Sequence, residues 1–169
     1  MNFYPEGCLF QNEENQYYLK NEATLNEALR TGTILEARAV MCDNDHNLIV
    51  DLGNMTGVIP REEGAIGIEN GTTRDIALIS RVNKLVCFMV TGFRTESSGK
   101  NTVLLSRRKA QEVCTEQYLS KLVPGDIIQA RVTHLEQFGC FVDIGCGVPS
   151  LIPIDAISIS RISHPSDRF

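Results

Sequence analysis

GDIIQARVTHLEQFGCFVDIGCGVPSLIP, residues 125–153, reads as a strand, a tight corner, a second strand and a third short one, with Phe138 and Phe141 around a glycine. A weaker copy, GTILEARAVMCDNDHNLIVDLGNMTGVIP, occupies residues 32–60, 93 positions upstream. Gly32-x-Ile-x-x-Ala37-Arg38 matches Gly125-x-Ile-x-x-Ala130-Arg131. Val50-Asp51-Leu52-Gly53 matches Val142-Asp143-Ile144-Gly145, and Val58-Ile59-Pro60 matches Leu151-Ile152-Pro153. One residue is lost in the first turn of the second copy. A repeat of this density divides the 169 residues into two small units rather than one large domain.

Around the first copy the chain falls into four parts. Residues 1–28 form an acidic extension that includes the start of a short helix, because Thr24-Leu-Asn-Glu27 fits a capping box and Gly32 closes the pattern. Residues 29–106 form the first unit. In it Leu35, Ala37, Ala39 and Met41 alternate with Glu36 and Arg38, as expected of a half-buried strand with the charged side chains outward. Asp43-Asn-Asp-His46 supplies a turn, Leu48, Val50 and Leu52 a second strand, and Val58-Ile59-Pro60 a third. In residues 61–81 the Asn70-Gly71 pair, with Ile66 and Ile68 before it and Ile76 and Leu78 after it, predicts a β-hairpin arm. Leu85–Val90 and Thr102–Ser106 are apolar runs of strand length, giving five core strands in about 75 residues. Residues 107–123 predict a linking helix capped by Ser106, with Ala110, Val113, Cys114, Tyr118 and Leu122 as its apolar stripe. Strand prediction restarts at Asp126, inside a second unit of residues 124–169.

Five strands of this spacing suit a Greek-key barrel of the OB type, whose second and third strands form a face for single-stranded nucleic acid. Phe138 and Phe141 are three apart, so strict strand parity places them on opposite faces. A positive φ or a bulge at Gly139 lets both rings reach the outer surface while Cys140 and Val142 point inward. A base stacked on each ring is worth about 1–3 kcal/mol without choosing the base's identity. Arg131 is either an outward phosphate or stacking contact or a surface partner of Glu136 or Asp143. The first copy has His46, Asn47 and Ile49 where the second has Phe138, Gly139 and Phe141, so its stacking pair is gone. His46 is left as a stacking candidate or a solvated turn residue.

Gln137-Phe-Gly-Cys-Phe-Val-Asp-Ile-Gly145 resembles the signature run of the S-one (S1) RNA-binding domain, and Ile162-Ser-His164-Pro-Ser166 resembles a later histidine-containing segment of that family. The resemblance covers roughly residues 30–169, more strongly in the second copy. It implies a mainly β protein: tandem five-stranded OB-fold barrels with a short N-terminal helix and a linking helix. It also implies contact with single-stranded RNA in translation, with the ribosome or a ribosomal protein as partner. On this chain the implied RNA-binding residues are Phe138, Phe141, Arg131, His164 and Arg161, with His46, Arg38, Arg107 and Arg108 as weaker candidates. Pro153 stands where the family often has an RNA-contacting histidine. In ribosomal relatives the leading repeats are degenerate and dock through protein contacts, which the first copy's losses fit.

Composition narrows the function classes. The net charge of −5 divides as −4 over residues 1–28, +2 over 29–111 and −3 over 112–169, so RNA binding here leans on stacking and local cations, not on a global field. No apolar run reaches membrane-spanning length and no leader pattern opens the chain, which points to a cytoplasmic protein without a membrane partner. The six cysteines show no metal-ligand spacing and read as small buried hydrophobes. No nucleophile–base pair, phosphate loop or metal cluster is present in the sequence, so neither catalysis, a cofactor nor a small-molecule substrate is expected. Arg107-Arg108-Lys109 at the start of the linking helix opposes the helix macrodipole and reads as a phosphate contact or a solvated face. The second copy lacks counterparts of the last two strands, so its barrel is expected to be incomplete at the C-terminal end and the chain a fragment of a longer protein. Two rival readings stand beside RNA binding: a protein-docking module, and the RNA-binding portion of a larger RNA-processing enzyme.

Overall fold

A computed structural model describes residues 3–169. Two short helices, α1 (Glu13–Tyr18) and α2 (Glu22–Thr31), precede the first strand. Helix α2 starts earlier than the sequence pattern predicts. Asn21 is its cap, accepting from the Thr24 amide at 2.9 Å, while the Thr24 hydroxyl accepts from the Asn21 amide at 3.1 Å. Thr24 is therefore the answering member of the capping box and not its first, a position that seats Leu25 and Ala28 in the core. Gly32, at φ 66°, ends the helix in the left-handed conformation.

Strands β1 (Ile34–Cys42), β2 (Leu48–Asp51), β3 (Thr56–Ile59), β4 (Leu85–Thr95) and β5 (Asn101–Ser106) close into a barrel in the order β1-β2-β3-β5-β4. β3 and β5 run parallel and every other pair is antiparallel. The alternating apolar residues fill it: Leu35, Ala37, Ala39, Leu48, Val50, Ile59, Phe88, Val103 and Leu105 form one core. Two members of the β1 pattern depart from expectation. The register shift between Ala39 and Met41 reverses the parity, leaving Met41 exposed. Glu36, expected outward, is fully buried, because the N-terminal segment crosses over it and the amides of Gly7, Leu9 and Phe10 donate to its carboxylate.

The hairpin predicted over residues 61–81 does not form. A 3-10 turn (Arg61–Glu63) and a one-turn helix, α3 (Ile76–Ile79), occupy the segment. The Asn70-Gly71 turn is present, yet the Thr72 and Thr73 hydroxyls donate to the carbonyls of Gly67 and Ile66 and close a compact loop. Ile68 and Leu78 bury with Ala65 in a small satellite core instead of pairing as strands.

Helix α4 (Arg107–Gln117) follows β5 directly, and Ser106 caps it by accepting from the Lys109 amide. Of the basic run at its start, Lys109 is exposed, while the two arginines are drawn into ion pairs. Arg107 is buried and grips both carboxylate oxygens of Glu6, at 2.6 and 2.9 Å. Arg108 pairs with Glu63 at 2.7 Å and with Glu112 at 3.2 Å. Glu6 also accepts from the Cys87 amide of β4, and its own amide donates to Asp143. Burial alone raises the Glu6 carboxyl, but Arg107, with Arg81 beside it, overrides that and holds it at about 2. One residue thus joins the N-terminal segment to the first barrel and α4 through its side chain and to the second repeat through its backbone amide.

The second repeat forms an antiparallel sheet of β6 (Arg131–Glu136), β7 (Gly139–Asp143) and β8 (Pro149–Pro153), followed by a short helix α5 (Ile154–Ile157). The strand expected from Asp126 begins only at Arg131. In the first copy the equivalent stretch, residues 33–37, pairs with β4 from Ile34 to Ala37. Among the described residues the second sheet has no fourth strand, so residues 126–130 have no ladder to join and Ile127 is fully exposed. Where the partner strand exists the two copies agree: Arg38 faces Asp51 and Arg131 faces Asp143. Among the described residues no helix is long and apolar enough to cross a membrane.

Candidate nucleic-acid interface

Both phenylalanines of the second copy reach one surface, by a route other than the one the sequence suggested. Gly139 does not adopt a positive φ and no bulge interrupts β7. Phe138 lies in the turn before the strand, which frees it from strand parity and leaves it 56% exposed. Phe141 sits two residues into β7, half-buried, while Cys140 and Val142 point inward as expected. The two ring centroids are 6.2 Å apart and perpendicular. Glycine is required at 139 by close approach, since a Cβ there would run into the Ile152 carbonyl of β8.

A third ring completes the surface. His134 on β6 lies directly across from Phe141 in the ladder, with ring centroids 6.3 Å apart and planes inclined by 27°. The register shift that brings it there falls between Val132 and His134, so the bulge belongs to β6 and not to β7. The His134 imidazole shares a 2.6 Å hydrogen bond with Glu136, which holds its plane while the ring stays exposed. Sequence reasoning passed over His134. Its signal was the hairpin register, which sets it opposite Phe141 once the shortened turn is counted.

The remaining candidates divide. Arg131 is exposed and donates to the Glu6 carbonyl at 3.0 Å, which ties its guanidinium to the N-terminal segment, and among the described residues it forms no ion pair with Glu136 or Asp143. His164 caps a 3-10 turn (Pro165–Asp167) through its Nδ1, which accepts from the Ser166 amide, and that turn packs beside β6. Arg161 is exposed and lines a separate groove with Asp155 and Ser158. In the first copy His46 has φ 63° and pairs with Asp75 at 2.6 Å, and Arg61 binds the same carboxylate. His46 is therefore committed to joining the β1–β2 turn to α3. Arg38 is exposed and donates to the Asn83 carbonyl. Arg107 and Arg108 are withdrawn into the ion pairs described above.

Asp143, from the Val-Asp-x-Gly run, serves the turn rather than a ligand. It accepts from the amides of Gly145 and Gly147 as well as Glu6, and Asp51 accepts from Gly53 in the same way in the first copy. Burial raises the Asp143 carboxyl above its ordinary range. Of the cysteines, Cys87, Cys114, Cys140 and Cys146 are buried and Cys8 and Cys42 half-buried, all unpaired. Among the described residues no group of His, Cys, Asp and Glu is arranged to hold a metal ion.

Comparison with known proteins bears on this surface. Residues 121–169 match the family model of the S1 RNA binding domain. Small ribosomal subunit protein bS1 of Staphylococcus aureus (strain COL) is 28% identical over 169 residues, covering 93% of this chain and 40% of the relative. The bS1 protein of Leuconostoc lactis is 30% identical over 125 residues, covering 71% of this chain and 27% of the relative. A bS1 homolog of Bacillus cereus (strain ATCC 10987 / NRS 248) is 36% identical over 72 residues, covering 40% of this chain and 19% of the relative. The chain thus spans two fifths or less of the length of these curated relatives.

Proposed function

We propose that this chain, whose residues 121–169 belong to the S1 RNA-binding domain family, binds single-stranded RNA through Phe138, Phe141 and His134 and acts in translation in association with the small ribosomal subunit. The observation that carries the reading is the three-ring surface on one face of the β6–β7 hairpin. Rings set at different angles offer bases several stacking planes without selecting their identity, and the flanking sheet holds them in place before RNA arrives. The bS1 relatives supply the ribosomal setting. In this reading β6, β7 and β8 are the opening strands of a second OB-type barrel, Arg131 and His164 border its RNA face, and residues 29–106 and 124–169 are its two domains.

The test is fluorescence anisotropy with labelled single-stranded RNA. Phe138→Ala weakens binding by about 1–3 kcal/mol, roughly 5- to 150-fold, and adding Phe141→Ala weakens it further. Unchanged affinity in the double variant overturns the reading.

One observation favours a protein-docking role for the first barrel. Its corner histidine is tied to Asp75, while Met41 and Ile76, on the elements that this pair joins, are exposed apolar side chains. Ribosome co-sedimentation that survives the double phenylalanine variant but is lost in Met41→Asp/Ile76→Asp supports that role.

A further inference from the structure

We propose that the cleft between the first barrel and the second sheet binds the phosphodiester backbone of the same RNA, an extension that rests on the reading above. The cleft has a volume of about 360 Å³. Its walls are Arg38, Arg81 and Lys84 from the first barrel and Arg131 and Thr133 from β6. Against four cations the lining sets two acids, Glu6 and Asp143, and both are buried and occupied. Glu6 is neutralised by Arg107 from behind, and Asp143 accepts three backbone amides. In a chain of net charge −5 this is a local concentration of positive charge, the condition that phosphate binding requires here.

Three of the four cations, Arg38, Lys84 and Arg131, have no carboxylate partner among the described residues. Arg38 donates to the Asn83 carbonyl, Arg81 to the Leu85 carbonyl and Arg131 to the Glu6 carbonyl. A carbonyl fixes a guanidinium's direction and leaves its charge and its other N–H groups available to an anion. Arg81 shares Glu6 at 3.4 Å, and its Nε is buried without a hydrogen-bond partner.

Continuity with the rings identifies the anion. Strand β6 carries Arg131 and Thr133 at the cleft and His134, the next residue, at Phe141. Three residues of strand span about 10 Å, so one extended strand of RNA can stack on the rings and lay its following phosphates in the cleft, within the roughly 4–16 nucleotides that an OB fold accommodates. The second sheet supplies the stacking surface and the first barrel most of the cations, which gives the degenerate first copy a part in RNA binding that its own corner lacks.

The experiment measures the affinity of oligouridylates of about four and about twelve nucleotides as salt is varied. For the longer RNA, Arg38→Glu/Lys84→Glu lowers affinity at least about tenfold and flattens the slope of log K against log salt by about 0.7 for each cation removed. Lys84→Glu alone, which breaks no hydrogen bond in the structure, gives about half of that slope change. Circular dichroism melting verifies that the variants are folded. If the phenylalanine variants lose RNA while the charge variants keep both affinity and slope, the cleft assignment falls and the stacking reading stands. If the charge variants lose RNA while the phenylalanine variants do not, the cleft stands and the stacking reading falls. Competition by inorganic tripolyphosphate as effective as that by the longer RNA marks a general anion site and overturns the assignment to RNA.

Discussion

The two β-hairpin corners of this chain lie between strands of matching sequence and end in opposite uses. In the first copy the corner is turned inward on the fold: His46 takes a left-handed backbone and binds Asp75, Arg61 binds the same carboxylate, and Asn47 accepts from the Arg61 amide. In the second copy the corner side chains hold nothing together. Phe138 projects from the turn, and Phe141 and His134 are supported by the ladder beneath them. The first copy closes its barrel with its own five strands and has polar groups committed to that closure. The second has three strands, and its stability leans on contacts from elsewhere, above all Glu6. A repeat that stabilises itself need not keep a binding face, and one that keeps the face borrows its support.

The largest expected effect breaks that loan. Glu6→Ala leaves the Arg107 guanidinium buried without its carboxylate, with only the Gly64 carbonyl to accept from it, a loss of about 3–5 kcal/mol and roughly 10 °C in melting temperature. Hydrogen exchange then shows β6 to β8 losing protection before β1 to β5, and uniform loss across both units would abolish the contrast. The next effect is smaller and depends on pH. Burial, opposed by three amide donors, raises the Glu36 carboxyl from 4.5 to about 7. Because the folded value lies above the unfolded one, its stabilising contribution is full below about 4.5 and is lost as pH rises through about 7, at most about 3 kcal/mol. Glu6 works in the opposite sense, its contribution being present above about 4.5 and lost as pH falls through about 2. Chemical denaturation of Glu36→Gln is therefore flatter than wild type between about pH 5 and 7, and parallel curves would refute the assignment. The smallest effect sharpens the comparison of corners: His46→Ala costs about 0–1 kcal/mol of stability and leaves RNA affinity in place, whereas Phe138→Ala does the reverse. Equal losses of RNA affinity in the two variants would show that the corners are alike after all.

Much of the barrel was legible. Period-two alternation in β1 and β2, the stop at Pro60 and the apolar runs in β4 and β5 express the local rule that a strand buries every second side chain. The aromatic corner was legible as a pair of rings around a glycine but not in its geometry, because Phe138 lies in the turn outside strand parity, and the repeat register held the information on His134. What escaped the sequence depends on distance. Glu6 looks like one more acid in an acidic stretch, because its partners Cys87, Arg107 and Asp143 lie 81, 101 and 137 positions away. Glu36 and Arg107 were misplaced as outward charges because what buries them is that same remote segment. The hairpin expected over residues 61–81 failed differently: the Asn-Gly signal gave the turn correctly, but Ile68 and Leu78 bury with Ala65 in a satellite core while Ile66 and Ile76 stay exposed. Arg131 and Arg38 were legible one at a time, but their meeting with Arg81 and Lys84 around one cleft was not, because Arg38, Arg81 and Lys84 belong to one repeat and Arg131 to the other.

The Glu6 contact also orders events in time. During synthesis Glu6 precedes Arg107 by 101 residues, an interval of roughly 5–20 s at ordinary elongation rates. Hairpins pair within microseconds, so β1 to β3 form early, and β5 ends at Ser106, immediately before Arg107 emerges. The Glu6 carboxylate meets Arg81 and the Cys87 amide first, and its anchoring is complete only when Arg107 and then Asp143 have followed, so a segment made before the barrel settles after it.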